Sequence, residues 1–253
     1  MNRYRLFISL LFFLCQFSNA SELSTKNKTC TKTTYLTFDT GNMAVAQLVA
    51  DVLKRNQIQA TFFLSNEKTK RGDFALDTSW QSYWQERVRE GHRFGSHTYD
   101  HVYWLADSGD DKVLMKPQFG KNAGKTVVYD ANTLCAEIKR VDTRFQELTG
   151  RKLDPIWRAS GGKISARLTA MGEQCGYRHV GWSSAGFLGD ELDSNRHPNA
   201  VLFERASKNL KDGDIAMAHL GIWSRQDPWA PAVLEPLIQE WKRQGFCFAA
   251  IAQ

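Results

Sequence analysis

Five side chains stand out in this sequence because their types and settings suit chemistry: Asp39, His97, His101, Arg158 and His219. Asp39 ends the apolar run of Thr37-Phe38-Asp39-Thr40-Gly41, just before a glycine that permits a sharp turn. A carboxylate there can act as a general base, ligate a metal, or cap the next helix. His97 and His101 are four residues apart in His97-Thr98-Tyr99-Asp100-His101. If that segment turns helical, both imidazoles fall on one face and can grip one divalent ion. Arg158 precedes Ala159-Ser160-Gly161-Gly162, whose glycines let backbone N–H groups approach a substrate. A guanidinium there can hold a carboxylate such as Asp39 ionised and oriented. His219 closes Ile215-Ala216-Met217-Ala218-His219, and a single imidazole can serve as an acid near neutral pH.

The elements that must carry these groups alternate along the chain. Thr33–Asp39 reads as a strand, Ala44–Asn56 as a helix and Gln59–Ser65 as a second strand. A helix over Trp80–Glu90 precedes the short strand Arg93–Ser96, which runs straight into His97. Asn132–Thr149 carries Leu134, Ile138, Val141, Phe145 and Leu148 on one helical face. Strands over Pro155–Arg158, His179–Trp182, Asp214–His219 and Phe246–Ile251 then alternate with helices over Ser165–Gln174, Val201–Lys211 and Pro231–Gln244. Such alternation predicts an α/β fold with a parallel sheet, a (β/α) barrel before a flat doubly wound sheet. Barrel chemistry gathers at the carboxyl ends of strands, where all five residues lie. The stretch Ala106–Asp130, rich in lysine and glycine, reads as a long surface loop.

Arg3 and Arg5 precede an apolar run from Leu6 to Phe17 that ends in Ser18-Asn19-Ala20, the pattern of a signal peptide cut after Ala20. The expectation is therefore a secreted or periplasmic protein, with residues 21–253 as one catalytic domain and no stable membrane insertion after cleavage. The positive charge, formally +6, is scattered, which argues against a nucleic-acid partner. Cys30, Cys135, Cys175 and Cys247 remain after cleavage; they permit two disulfides in three pairings, or buried free thiols. Oligomeric state leaves no trace in the sequence.

Taken in order, TFDTG, SHTYDH, RASGG and IAMAH resemble the motif series of the polysaccharide deacetylase family (NodB homology, carbohydrate esterase family 4). The resemblance runs from about Thr34 to Ile251. It implies a distorted (β/α) barrel and a divalent metal ion, commonly zinc, that helps water remove acetyl groups from an amino sugar or acetylated polysaccharide. By position it implies Asp39 as catalytic base, His97 and His101 as metal ligands, Arg158 as the residue orienting the base, the Gly161 N–H as an oxyanion donor, and His219 as catalytic acid. Trp223, four residues past His219, is assigned as a substrate contact because flat rings stack on sugar faces.

The chain departs from the family pattern in three places. Where the family has a second aspartate as third metal ligand, this chain has Thr40, a poorer ligand than a carboxylate. Ser160 replaces a proline. After Trp182 the family's acidic motif is replaced by Ser183-Ser184-Ala185-Gly186, so the partner of His219 is left open among Asp190, Glu191 and Asp193. Two other readings compete with the deacetylase: a catalytically silent carbohydrate-binding protein that lost a metal ligand at Thr40, and a metal-dependent amidohydrolase acting on a small substrate.

Overall fold

The computed structural model describes residues 30–251. The signal segment expected over residues 1–20 lies outside the described residues. Ten strands and six α-helices follow one another within that span: β1 Lys32–Asp39, α1 Ala46–Arg55, β2 Thr61–Leu64, α2 Gln81–Arg89, β3 Arg93–Ser96, β4 Val102–Ser108, β5 Lys112–Pro117, β6 Val127–Tyr129, α3 Ala131–Thr149, β7 Ile156–Trp157, α4 Ala166–Gln174, β8 Arg178–His179, α5 Asn199–Asn209, β9 Ile215–His219, α6 Glu235–Arg243 and β10 Phe246–Phe248.

Local chemistry sets several of these boundaries. Asp130 caps α3 by accepting the Thr133 N–H at 2.8 Å, and Gly150 ends the helix in a left-handed conformation that costs a residue without Cβ little. Ser165 caps α4 through the Leu168 N–H at 3.1 Å. One wide helical turn, Ala230–Leu234, leads into α6, so the helix expected from Pro231 is irregular at its start.

The parallel sheet runs β10-β1-β2-β3-β7-β8, and β9 also pairs with β1. Period-two alternation separates its two faces. Leu36 and Phe38 point outward to the helices, where Phe38, Phe62 and Phe94 on three adjacent strands pack with centroids 5.7 and 5.8 Å apart. Phe63, Ile156, Val180 and Ile251 form a separate buried cluster. The sheet curls, but among the described residues no ladder joins β8 to β9; the chain after β8 meets β9 through irregular contacts, among them the Phe187–Met217 bridge and the Ser183 N–H donating to the Ile215 carbonyl at 3.1 Å. The barrel is thus distorted and incompletely laddered. β7 and β8 are each two residues long and β10 is three, shorter than their sequences suggested.

One expectation is overturned. Much of Ala106–Asp130 is built into a second, antiparallel sheet, β4-β5-β6, instead of forming a loop. Its lysines and glycines hide a strand alternation in which Val113 and Met115 are buried against Leu134, Ile138 and Trp157. Two disulfides, Cys30–Cys247 and Cys135–Cys175, settle the pairing the sequence left open. The first ties the start of β1 to β10, and the second ties α3 to the end of α4.

Candidate active site

Strand register places four of the five sequence-selected groups, Asp39, His97, Arg158 and His219, along one edge. Asp39 and His219 are the last residues of β1 and β9 and stand opposite each other in the ladder. His97 follows Ser96, which pairs with Trp157, and Arg158 follows Trp157. The turns after β1 and β9 are wedged together: a Cβ on Gly41, whose φ is +57°, would lie 2.1 Å from the Gly221 carbonyl oxygen. Asp39, Glu67, His97, His101, Gly161, His219 and Trp223 all line one cavity of about 250 Å³. A larger hollow of about 430 Å³ beside α3 and α4, lined by Asp111, Asp130 and Arg167, contains none of them.

Arg158 is fully buried and fully engaged. Its Nη1 donates to Asp39 Oδ1 at 2.8 Å and to Thr37 Oγ1 at 3.0 Å; its Nε and Nη2 donate to the Val180 and Gly181 carbonyls, each at 3.0 Å. Phe63 lies beneath the guanidinium, 4.0 Å from ring centroid to Cζ. Burial pushes the Asp39 carboxyl up, but Arg158, then His97 and His219, hold it below its ordinary value. Asp39 is therefore an oriented carboxylate at neutral pH.

His97 keeps one nitrogen for chemistry. Its Nδ1 lies 3.0 Å from the Arg158 carbonyl oxygen, which can only accept, so Nδ1 carries the proton and Nε2 offers a lone pair. Nε2 lies 3.5 Å from Asp39 Oδ2. Burial pushes this imidazole down to about 4, which keeps it neutral and able to ligate. The His97 and His101 rings stand 5.0 Å apart, edge to face. The segment joining them is a tight turn, not the helix that would put them on one face; Thr98 and His101 take positive φ of 61° and 48°. The turn is held by Thr98 Oγ1, which accepts the Val102 N–H at 2.8 Å. The pair converges through loop geometry where helical periodicity was expected.

On the far side of Asp39, Asp190 supplies the partner that the sequence left among three acids. Its Oδ1 lies 3.1 Å from His219 Nδ1, and its Oδ2 accepts the His219 N–H at 2.7 Å. Burial lowers the imidazole, but Asp190 first, then Asp39 and Glu191, raise it to about 10, so His219 is a cation at neutral pH. Glu191 Oε2 is 3.9 Å from His219 Nε2, facing the cavity.

Gly161, with φ of +69°, lies under Tyr103, whose ring carbon would be 2.6 Å from an added Cβ. Trp223 is 56% exposed on the rim, with Lys70 Nζ 4.4 Å above its ring. The sequence reading missed Glu67, three residues past the end of β2. Its Oε1 accepts from Thr40 Oγ1 at 2.7 Å and from the Gly41 N–H at 3.0 Å. Its place at a strand end was the only available signal. Among the described residues, no three His, Cys, Asp or Glu side chains are already gathered as a metal site.

A distorted parallel barrel with an oriented carboxylate, two facing imidazoles and a carboxylate-backed third imidazole at its carboxyl edge has the layout of a hydrolytic site. The chain belongs to the polysaccharide deacetylase family, whose model matches residues 26–180, and it is thereby a carbohydrate-deacetylating hydrolase by class. A peptidoglycan-N-acetylglucosamine deacetylase of Bacillus cereus is 25% identical over 219 residues, covering 86% of this chain and 85% of the relative. In fold, the chain is similar to a family 4 carbohydrate esterase from Streptomyces lividans solved with acetate, with TM-score 0.62, 20% identity, and 88% and 94% of the two chains covered. It is equally similar in fold to a family 4 pseudoenzyme from Bacillus anthracis, at TM-score 0.62 and 16% identity, covering 87% of this chain and 64% of that one.

Proposed function

We propose that this protein is an exported, metal-dependent deacetylase that removes N-acetyl groups from an N-acetylglucosamine-containing polysaccharide. The observation that carries the reading is the arrangement around Asp39: one oxygen bound to Arg158, the other facing His97 Nε2, and His219, backed by Asp190, lining the same cavity. The B. cereus relative supports the choice of sugar. The two disulfides suit an oxidising compartment, in keeping with the signal segment expected from the sequence.

The donor chemistry fits a divalent cation. His97 presents Nε2 while its other nitrogen is fixed on a backbone carbonyl, an arrangement that orients metal-bound histidines, and His101 stands next to it. A cation held there, zinc before other ions, supplies a Lewis acid that polarises the acyl oxygen and eases deprotonation of water. The chain's own residues do the rest. Asp39, kept ionised by Arg158, accepts the proton of the attacking water; Gly161, which lines the cavity, offers its N–H to the oxyanion; His219, charged through Asp190, gives its proton to the departing amine. Trp223 offers an exposed ring to the sugar.

The test is incubation of zinc-loaded protein with N-acetylated chito-oligosaccharides and with peptidoglycan, reading acetyl loss by mass spectrometry. Loss of acetyl groups supports the reading. Tight oligosaccharide binding without acetate release would instead identify a silent carbohydrate-binding protein, and turnover of simple amides alone an amidohydrolase acting on small substrates.

A further inference from the structure

Two imidazoles leave a cation short of protein ligands, and position 40 offers only a hydroxyl. We propose that Glu67 is the carboxylate ligand of this centre, reached from the loop after β2 and seated by Thr40. The inference rests on the metal-dependent reading above.

Chain path places Glu67 between the groups it would join. β2 lies between β1, which ends at Asp39, and β3, which leads into His97. The residues before Glu67 are tied to the histidine turn: Ser65 Oγ donates to the Thr98 carbonyl at 2.7 Å, and the Asn66 N–H donates to the Tyr99 carbonyl at 2.8 Å. Glu67 itself is tied to the turn after Asp39 through Thr40 and Gly41. The side chain therefore has one anchor on each flank of the cavity it shares with His97 and His101.

The hydroxyl of Thr40 is also oriented. It accepts the Ser65 N–H at 3.2 Å, so its proton is aimed at Glu67 Oε1. Both hydrogen bonds to Glu67 fall on that one oxygen, and among the described residues Oε2 takes none. Glu67 also forms no ion pair with a lysine or arginine among the described residues; the basic groups around it are the imidazoles of His101, His97 and His219. A half-buried carboxylate with one tethered oxygen, one free oxygen and no cationic partner is costly unless a cation completes it. Two imidazoles and one carboxylate are a common donor set for zinc. Since the three side chains are not yet gathered at ligand distance, binding requires the Glu67 carboxylate to turn within its tether.

The experiment strips the purified protein with chelator and titrates it with Zn²⁺ by calorimetry and with Co²⁺ by visible absorption. Wild type is expected to take one equivalent and to give a low-symmetry cobalt spectrum. Glu67→Gln is expected to bind zinc more than about 100-fold more weakly, beyond the 10- to 100-fold that loss of a ligand's hydrogen-bond partner costs. Thr40→Asp in the Glu67→Gln background is expected to restore binding by returning a carboxylate to the site. If Glu67→Gln binds zinc like wild type while His101→Ala does not, the proposal fails and the metal-dependent reading stands. If wild type binds neither ion, both fail. Should Glu67→Gln not fold, a crystal of zinc-loaded wild type decides: a Glu67 oxygen within about 2.0–2.2 Å of the ion supports the proposal, and a site of His97, His101 and water alone overturns it.

Discussion

Arg158 donates to Asp39 across 2.8 Å, and neither side chain is more than 3% exposed. The arginine spends its other donors on Thr37, Val180 and Gly181, so it acts as a fixed post for one carboxylate oxygen and leaves the other to the cavity. Removing one partner of such a pair strands the remaining charge in a low-dielectric interior. Arg158→Ala is expected to lower the unfolding free energy by about 3–5 kcal/mol, measured by urea denaturation, with activity falling further than the loss of folded protein explains.

The Asp190–His219 contact is expected to set the alkaline limit of activity. His219 is raised from 6.5 to about 10, so the stability it contributes is fully present below about 6.5 and is lost as pH rises through about 10. The acid needed for amine departure disappears over the same range. Asp190→Asn is expected to move the alkaline limb of the kcat/KM profile to lower pH, measured from pH 6 to pH 11 on one oligosaccharide. An unmoved limb would take the acid role away from His219. Asp39 is held below its ordinary value of 3.8, so its contribution is present above that value and is lost as pH falls through the depressed one.

Trp223 stands on the cavity rim and is proposed to act only through the sugar. Trp223→Ala is expected to raise KM for chito-oligosaccharides several-fold and leave kcat near wild type, the signature of binding shared by ground state and transition state. A fall in kcat with unchanged KM would contradict a role limited to stacking.

Cys30–Cys247 closes a 217-residue separation and Cys135–Cys175 one of 40. Paired substitution of either to serine is expected to cost about 2–5 kcal/mol in denaturant titrations. The Cys30–Cys247 variant should also loosen the pairing of β1 with β10, seen as faster amide exchange at Lys32 and Ala249, whose N–H groups donate to the Gly245 and Thr34 carbonyls.

Much of this site was legible in the sequence because parallel strands bring their carboxyl ends to one edge wherever they fall in the chain. Asp39, His97, Arg158 and His219 each end or directly follow an apolar strand run, so strand order alone brings them together. What lies on irregular backbone was hidden. Asp190, Glu191 and Asp193 look alike in the sequence, and only the path after Phe187 points the first of them at His219. The histidine turn reaches convergence through two left-handed residues that no periodicity announces. β5 was masked by Lys112 and Lys116, which flank Val113 and Met115 as a half-buried strand requires.

The most direct test is acetate release from N-acetylated chito-oligosaccharide by zinc-loaded wild type, Asp39→Asn and His101→Ala, compared at equal folded concentration. The account predicts turnover by wild type, a loss of about 10²- to 10⁴-fold for Asp39→Asn, and no zinc-stimulated activity for His101→Ala. Equal acetate release by all three proteins would contradict it.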